Sequence, residues 1–110
     1  MYEGSPVELQ MNKVVSVEGI YDDATHQCQV YKYDAEEDYI YLLLKENDLT
    51  AISLDAKYQC YISTKKEVLS CSGFIKERYQ CQYGNMMIFK ISDGFSKAPG
   101  MLSTLKKRIV

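Results

Sequence analysis

The chain has 110 residues, of which 46% are hydrophobic, and its 13 basic and 15 acidic side chains give a formal net charge of −2. This length fits one domain and is too short for two ordinary hydrophobic cores. The basic residues are scattered apart from Lys65–Lys66 and Lys106–Arg108, so the sequence lacks the basic surface typical of nucleic-acid-binding proteins, and nucleic acid is not an expected partner.

The N-terminal sequence and the cysteines together indicate a cytoplasmic protein. Residues 1–6 include neither a basic lead nor an apolar core of signal-peptide length, and no apolar run approaches the ~18 residues of a membrane span, so no membrane insertion is expected. The cysteines have no Cys-x-x-Cys spacing, which argues against a zinc site and a thioredoxin-type redox pair. We therefore expect buried thiols in a reducing compartment at four positions: Cys28, Cys60, Cys71 and Cys81.

Ten tyrosines, no tryptophan and only two prolines favour β-strands, and they predict an all-β fold. A flexible N-terminus is expected over residues 1–11. A strand follows at about Asn12–Tyr21, where β-branched residues cluster, and a second strand at about Gln27–Tyr33 would form a hairpin with it. Turn-forming residues at 22–26 separate the two strands.

Two further strands are predicted before the middle of the chain. An acidic loop at Asp34–Asp38 leads into Tyr39–Leu44, an apolar run short enough to be a strand that is buried on both faces. After a polar break, Thr50–Leu54 is predicted as a short strand that ends at a turn.

The most informative pattern is a predicted hairpin between Tyr58–Ser63 and Val68–Tyr79, with its turn at Lys65–Lys66. Mirror counting pairs inward residues of the two strands: Ile62 with Leu69, Cys60 with Cys71, and Tyr58 with Gly73. An aromatic ring opposite a strand glycine fills the space of the missing side chain, and opposed cysteines suit a narrow interior. A slip of one residue would send the alternate set of side chains inward instead.

The last part of the chain is predicted to add one strand and a tail. Met86–Ser92 is apolar on both faces, which fits barrel closure or a face covered by other residues. Lys97–Gly100 interrupts the pattern, and Met101–Val110 has the spacing of a short helix. With about six or seven strands and short connections, the sequence predicts a small antiparallel β-barrel over residues 12–96 and a C-terminal tail or short helix over 97–110.

Several positions along these strands also carry a family resemblance: Gly19, Ile20, Tyr41–Leu44, Tyr58, Cys60, Ile62, Cys71, Gly73, Ile75, Arg78 and Tyr79. On these residues the run from Gly19 to Ile91, roughly two thirds of the chain, resembles the N-terminal split-barrel domain that precedes PilZ domains in flagellar-brake-type proteins. The resemblance implies a PilZ-like split barrel in a bacterial cytoplasmic protein. Such a module would contact another domain or a partner protein and adjust cyclic di-GMP signalling without necessarily binding the nucleotide.

The chain departs from the motifs with which PilZ domains bind cyclic di-GMP. Those domains use an Arg-x-x-x-Arg arm and an Asp-x-Ser-x-x-Gly motif, whereas the only two arginines here, Arg78 and Arg108, are widely separated. The Ser92–Gly94 segment does not supply the second motif. No ligand residues are transferred from the family, and direct binding of cyclic di-GMP is not expected.

His26 and Cys28 are the residues that suggest chemistry most directly. With Asp22 and Asp23 nearby, they allow a metal site or a Cys-His nucleophile to be considered. The favoured interpretation is a solvated turn histidine beside a core thiol. The acidic loop at Asp34–Asp38 lacks the glycine and ligand spacing of a calcium loop and is interpreted as a solvated connection.

Four tyrosines form the candidate interaction surface, because strand alternation assigns them partly to outward positions: Tyr31, Tyr33, Tyr41 and Tyr61. Exposed tyrosines supply a large contact area at a small entropic cost, although ordinary β-sheet composition explains them as well. We therefore predict a non-enzymatic regulatory module that contacts a protein partner or self-associates, with no catalytic residue, cofactor or metal. The alternative is a barrel that binds a nucleotide or single-stranded nucleic acid through its tyrosines.

Overall fold

The computed structural model describes residues 2–12, 24–54 and 56–97, and they fold into one sheet of six strands. The strands are β1 (Pro6–Met11), β2 (Thr25–Asp34), β3 (Tyr39–Leu44), β4 (Lys57–Ser63), β5 (Val68–Cys81) and β6 (Gly84–Lys97). A 3-10 turn at Leu49–Ala51 lies between β3 and β4.

The sheet closes on itself as an antiparallel barrel. Around the barrel the strand order is β1-β2-β3-β6-β5-β4, and β1 pairs with both β2 and β4. The predicted all-β fold and small antiparallel barrel are therefore confirmed, with six strands. The predicted limits of β3 are reproduced, and β2, β5 and β6 extend beyond the segments predicted for them.

Side chains fill the barrel interior, because alternate residues of every strand point inward. The inward residues are Val7, Leu9 and Met11 of β1, Cys28 and Val30 of β2, Ile40, Leu42 and Leu44 of β3, Tyr58, Cys60 and Ile62 of β4, Leu69, Cys71 and Ile75 of β5, and Met87, Phe89 and Ile91 of β6. Burial of these apolar side chains removes them from water and is the main stabilising contribution to the fold.

The register between β4 and β5 is the one that mirror counting predicts. Its three inward pairs are confirmed: Ile62 with Leu69, Cys60 with Cys71, and Tyr58 with Gly73. Tyr58 is fully buried, and its hydroxyl accepts a hydrogen bond of 2.9 Å from the backbone N–H of Ser53. The ring thus fills the interior beside Gly73 and also holds the segment that leads into β4.

The N-terminal segment is the first correction to the sequence-based expectation. The flexible N-terminus predicted over residues 1–11 is wrong for Pro6–Met11, which form β1 between β2 and β4. Val7, Leu9 and Met11 alternate with the polar Glu8 and Gln10, so the segment buries one face like the other strands. Most of the strand predicted at Asn12–Tyr21 lies outside the described residues, as do the predicted helix and all of the predicted tail except Lys97, the last residue of β6.

The strand predicted at Thr50–Leu54 is also wrong, because this segment contains a 3-10 turn and packs against the barrel. Asp48 caps the turn by accepting a 3.0 Å hydrogen bond from the backbone N–H of Thr50. Ile52 is fully buried in the core. The Arg78 guanidinium donates hydrogen bonds to the carbonyls of Leu49, Thr50 and Ile52. The cap and this arginine therefore satisfy backbone groups that would pair with a neighbouring strand if the segment were a β-strand.

Substitution Gly73→Ala tests how closely the strands approach. A Cβ atom at Gly73 would lie 2.9 Å from the carbonyl carbon of Lys90 and would overlap its oxygen, so the free energy of unfolding should fall by about 2 kcal/mol. The matched control is Gly94→Ala in the same hairpin, where an added Cβ meets nothing within 4 Å and the change should stay within about 0.5 kcal/mol. Urea denaturation measures both, and equal stability of the two variants would contradict the packing described.

Candidate functional site

Aromatic rings gather on the outer surface that β2, β3, β6 and β5 share. Cross-strand pairing places Tyr41 beside Ile88 and places Met86 between Leu43 and Tyr79. We call this surface the tyrosine face and define it as Tyr31, Tyr39, Tyr41, Tyr79 and Tyr83 around Met86 and Ile88. Met86 and Ile88 are 2% and 8% exposed although they point away from the core cluster, because neighbouring rings shield them.

Two irregularities in the sheet add side chains to this face. The register of β2 shifts between Val30 and Lys32, and Tyr31 and Lys32 are both exposed there. The register of β5 shifts between Ile75 and Glu77, which leaves Lys76 exposed next to Glu77. A β-bulge adds one residue to a strand and redirects its side chains, so each bulge puts two consecutive side chains on the outside.

The rings on the tyrosine face contact one another. The ring centroids of Tyr31 and Tyr83 are 5.0 Å apart, and those of Tyr39 and Tyr41 are 6.4 Å apart in an edge-on arrangement. Tyr31, Tyr79 and Tyr83 remain 37%, 38% and 55% exposed. A hydrogen bond with Tyr83 raises the pKa of Tyr31, and burial raises the pKa of Tyr79, so these hydroxyls are protonated at neutral pH.

Three lysines stand next to the same rings. The Lys32 ammonium lies 5.6 Å from the Tyr41 ring centroid, and those of Lys76 and Lys90 lie 5.7 Å and 5.4 Å from the Tyr39 ring centroid. These distances are within cation–π range. The hydrogen bond with Tyr39 raises the pKa of Lys76, which keeps its ammonium charged.

Of the four tyrosines predicted from the sequence, the structure brings together only Tyr31 and Tyr41. The bulge after Val30 returns Tyr33 to the inner side, where it packs against the core with Tyr2 and Phe95 at centroid distances of 5.5 Å each. The outward position predicted for Tyr33 is thus wrong, because the bulge breaks the alternation. Tyr61 lies on β4 between Glu8 and Ser70, away from the other three.

His26 is not the solvated turn histidine that the sequence suggested. It lies on the inner side of β2 with 3% exposure, because β2 already begins at Thr25. Its Nδ1 is 3.0 Å and 3.1 Å from the two carboxylate oxygens of Glu46. The same carboxylate accepts a 3.3 Å hydrogen bond from the backbone N–H of Gln27, so the pair holds the chain after β3 against β2.

The thiols that could have carried chemistry are largely inside the barrel. Burial raises the pKa of Cys28 to about 12, and the nearby charge of Glu46 acts in the same direction. A hydrogen bond with Cys71, together with burial, raises the pKa of Cys60. Reactive cysteines need a lowered pKa and some exposure, so this environment argues against Cys28 as a nucleophile.

Among the described residues there is no group of three or more His, Cys, Asp or Glu side chains that could hold a metal ion.

A cleft of about 850 Å³ opens at the end of the barrel where β1 begins and β4 ends. Its lining includes Tyr2, Phe95, Leu69 and the loop at residues 64–67. The Thr64 hydroxyl donates a 2.8 Å hydrogen bond to the carbonyl of Glu67 and accepts one of 3.0 Å from its N–H. The hydroxyl therefore stabilises the turn, and the lining of the cleft also includes the exposed Lys65 and Lys66.

Comparison with protein-family models, with curated proteins and with solved structures finds no match for this chain. In the portion of the chain that the structure describes, no helix has the length and apolar character to cross a membrane.

Native alkylation tests the environment of the thiols. At pH 8, iodoacetamide should label Cys81, which is only partly buried, well before Cys28, Cys60 and Cys71. Because burial raises the pKa of Cys28 to about 12, little of its thiolate is present at pH 8, and its labelling rate should rise by about tenfold per pH unit as the pH increases toward 12. Mass spectrometry of digested samples measures each site, and urea-unfolded protein, in which all four should react, is the control. Labelling of native Cys28 as fast as Cys81 would restore it as a candidate nucleophile.

Proposed function

We propose that the chain is a non-enzymatic interaction module that binds a partner protein, or a second copy of itself, through the tyrosine face. The observation that carries the proposal is the concentration of rings on the outside of a barrel whose inside is filled with packed side chains. With the interior filled, the outer surface is the part of the barrel that offers contact area to a partner.

The composition of the tyrosine face supports binding to a protein. Tyrosine is enriched at the centres of interfaces because its ring buries a large area, its hydroxyl forms a hydrogen bond, and few rotatable bonds are lost. Here the rings surround an apolar floor of Met86 and Ile88, and three lysines lie around them. An apolar centre with a polar rim is the usual anatomy of a protein interface.

The resemblance to the split barrel before PilZ domains suggests where this interaction would act. We infer a cytoplasmic, bacterial regulatory role linked to cyclic di-GMP signalling, in which this barrel contacts a partner without binding the nucleotide. The hydrogen bonds of Arg78 support a role without nucleotide binding. Its guanidinium donates to three backbone carbonyls of the segment between β3 and β4, so it is not free to bind a phosphate. The high pKa of Cys28 supports a role without thiol catalysis.

A second candidate function is binding of a nucleotide or single-stranded nucleic acid. The observation in its favour is that Lys32, Lys76 and Lys90 lie beside tyrosine rings, since such proteins combine basic side chains with aromatic stacking platforms. Titration of the chain with cyclic di-GMP and with an oligothymidylate at low salt tests this candidate, and undetectable binding of both removes it.

The double substitution Tyr31→Ser/Tyr83→Ser tests the proposed function, with Tyr61→Ser on another part of the barrel as the matched control. Partners retained from a bacterial lysate would be identified, purified and measured for affinity, and sedimentation velocity would measure self-association. The double variant should weaken binding at least about tenfold, because exposed interface rings are typical hot spots, whereas Tyr61→Ser should leave it nearly unchanged.

Circular dichroism melting would first confirm that both variants fold. Equal weakening by the two variants would place the interface elsewhere. A double variant that binds every partner with unchanged affinity would contradict the proposal.

A further inference from the structure

We infer that the tyrosine face recognises an acidic peptide segment, in which Asp or Glu carboxylates alternate with apolar side chains. This inference rests on the proposed function and specifies the chemistry of the partner. Three lines of observation on the described residues carry it: the order of side chains across the sheet, the absence of carboxylate partners for the lysines, and the packing of the rings.

The order of side chains across the sheet interleaves lysines and rings. Lys90 pairs with Tyr39 on one side and with Phe74 on the other, and Phe74 is 40% exposed. One step along the strands, Lys32 pairs with Tyr41. Each ammonium thus stands next to an exposed or half-exposed ring, so a bound segment could place carboxylates on the lysines while its apolar side chains cover the rings.

The three lysines have no carboxylate partner in the described part of the chain. Lys57, by contrast, is paired with Asp93 at 3.1 Å. Lys90 donates its 2.7 Å hydrogen bond to the backbone carbonyl of Glu37 rather than to a carboxylate. A chain with a net charge of −2 therefore presents unpaired positive charge on this face, which is complementary to an acidic ligand.

Acidic side chains do lie near the lysines, but in the described part of the chain they form no ion pair with them: the charges of Glu77 and Glu37 act on Lys76 and help to raise its pKa. Asp34 accepts hydrogen bonds of 3.1 Å and 3.3 Å from the backbone N–H groups of Glu36 and Glu37, so it is used in the turn between β2 and β3. Glu77 is exposed beside Lys76 in the β5 bulge, and Glu37 lies near Lys76 and Lys90, so both would repel a carboxylate at that edge of the face. A ligand of alternating acidic and apolar residues can place an apolar side chain there.

The packing of the rings favours a peptide over nucleic acid. Bases stack on ring faces, but Tyr31 and Tyr83 pack against each other, and lysines already stand over the faces of Tyr39 and Tyr41. The hydroxyl of Tyr79 stays protonated at neutral pH and can donate a hydrogen bond to a carboxylate, whereas the hydroxyl of Tyr31 is already engaged with Tyr83. Ring edges, hydroxyl donors and ammonium groups together suit an acidic peptide.

A display library of random peptides of about a dozen residues tests the inference without a known partner. Peptides selected on the native chain would be synthesised with a fluorescein label, and their affinities would be measured by anisotropy. We expect the selected peptides to be enriched in Asp and Glu among apolar residues. The triple variant Lys32→Gln/Lys76→Gln/Lys90→Gln should bind them about tenfold more weakly, and added salt should weaken native binding.

The matched control is Lys65→Gln/Lys66→Gln, which removes two exposed lysines at the turn between β4 and β5 and should change affinity by less than about twofold.

Selected peptides without acidic residues that still require Tyr31 and Tyr83 would overturn this inference and leave the proposed function intact. Peptides that bind the Tyr31→Ser/Tyr83→Ser variant equally well, or a library without enrichment, would overturn both. An oligothymidylate that binds more tightly than every peptide, and less tightly to the triple lysine variant, would assign the face to nucleic acid.

Discussion

The pairing of β1 with β4 is the constraint on which the rest of the structure depends. It joins the N-terminal strand to the middle of the chain through Val7 with Ile62, Leu9 with Cys60, and Met11 with Tyr58. Once β1 and β4 are paired, the sheet is closed and has an inner and an outer face. Successive residues of each strand then point alternately to the inner face and the outer face. Most apolar side chains fill the interior, while Met86 and Ile88 and a group of tyrosines lie on the outer surface.

Closure of so small a barrel also limits what can stand inside it. Gly73 lies against the backbone of Lys90, and the ring of Tyr58 occupies the space opposite, while two thiols face each other one pair further along. The bulges in β2 and β5 relieve the strain of closure by bending the strands. The same bulges put consecutive side chains on the outer surface, so the geometry that closes the barrel also builds part of the tyrosine face.

The sequence predicts the local features of this protein better than the long-range ones. The β4–β5 register follows from counting outward from one turn, and β3 follows from an apolar run. The sequence does not reveal β1, because its short alternating pattern becomes a strand only by pairing with β2 and β4, which are distant in sequence. The burial of His26 depends on Glu46, twenty residues later, which no local pattern reveals.

The candidate site shows the same limit. Alternation finds Tyr31 and Tyr41, but it misplaces Tyr33 because a bulge in β2 is invisible in the sequence. Tyr79 and Tyr83 join the face only because the β5–β6 hairpin brings them beside β2 and β3. The apolar character of both faces of β6 is the sequence signal for Met86 and Ile88 at the base of the tyrosine face, because it fits either barrel closure or a face covered by other residues.

Nuclear Overhauser contacts across the β1–β4 seam test the central claim most directly. The closed barrel predicts cross-peaks between backbone protons of Leu9 and Cys60, and also between those of Leu9 and His26, because β1 pairs with a strand on each side. Intact contacts within the β4–β5 hairpin together with none from Leu9 to Cys60 would show an open sheet. That result would contradict the division into a filled interior and a binding exterior.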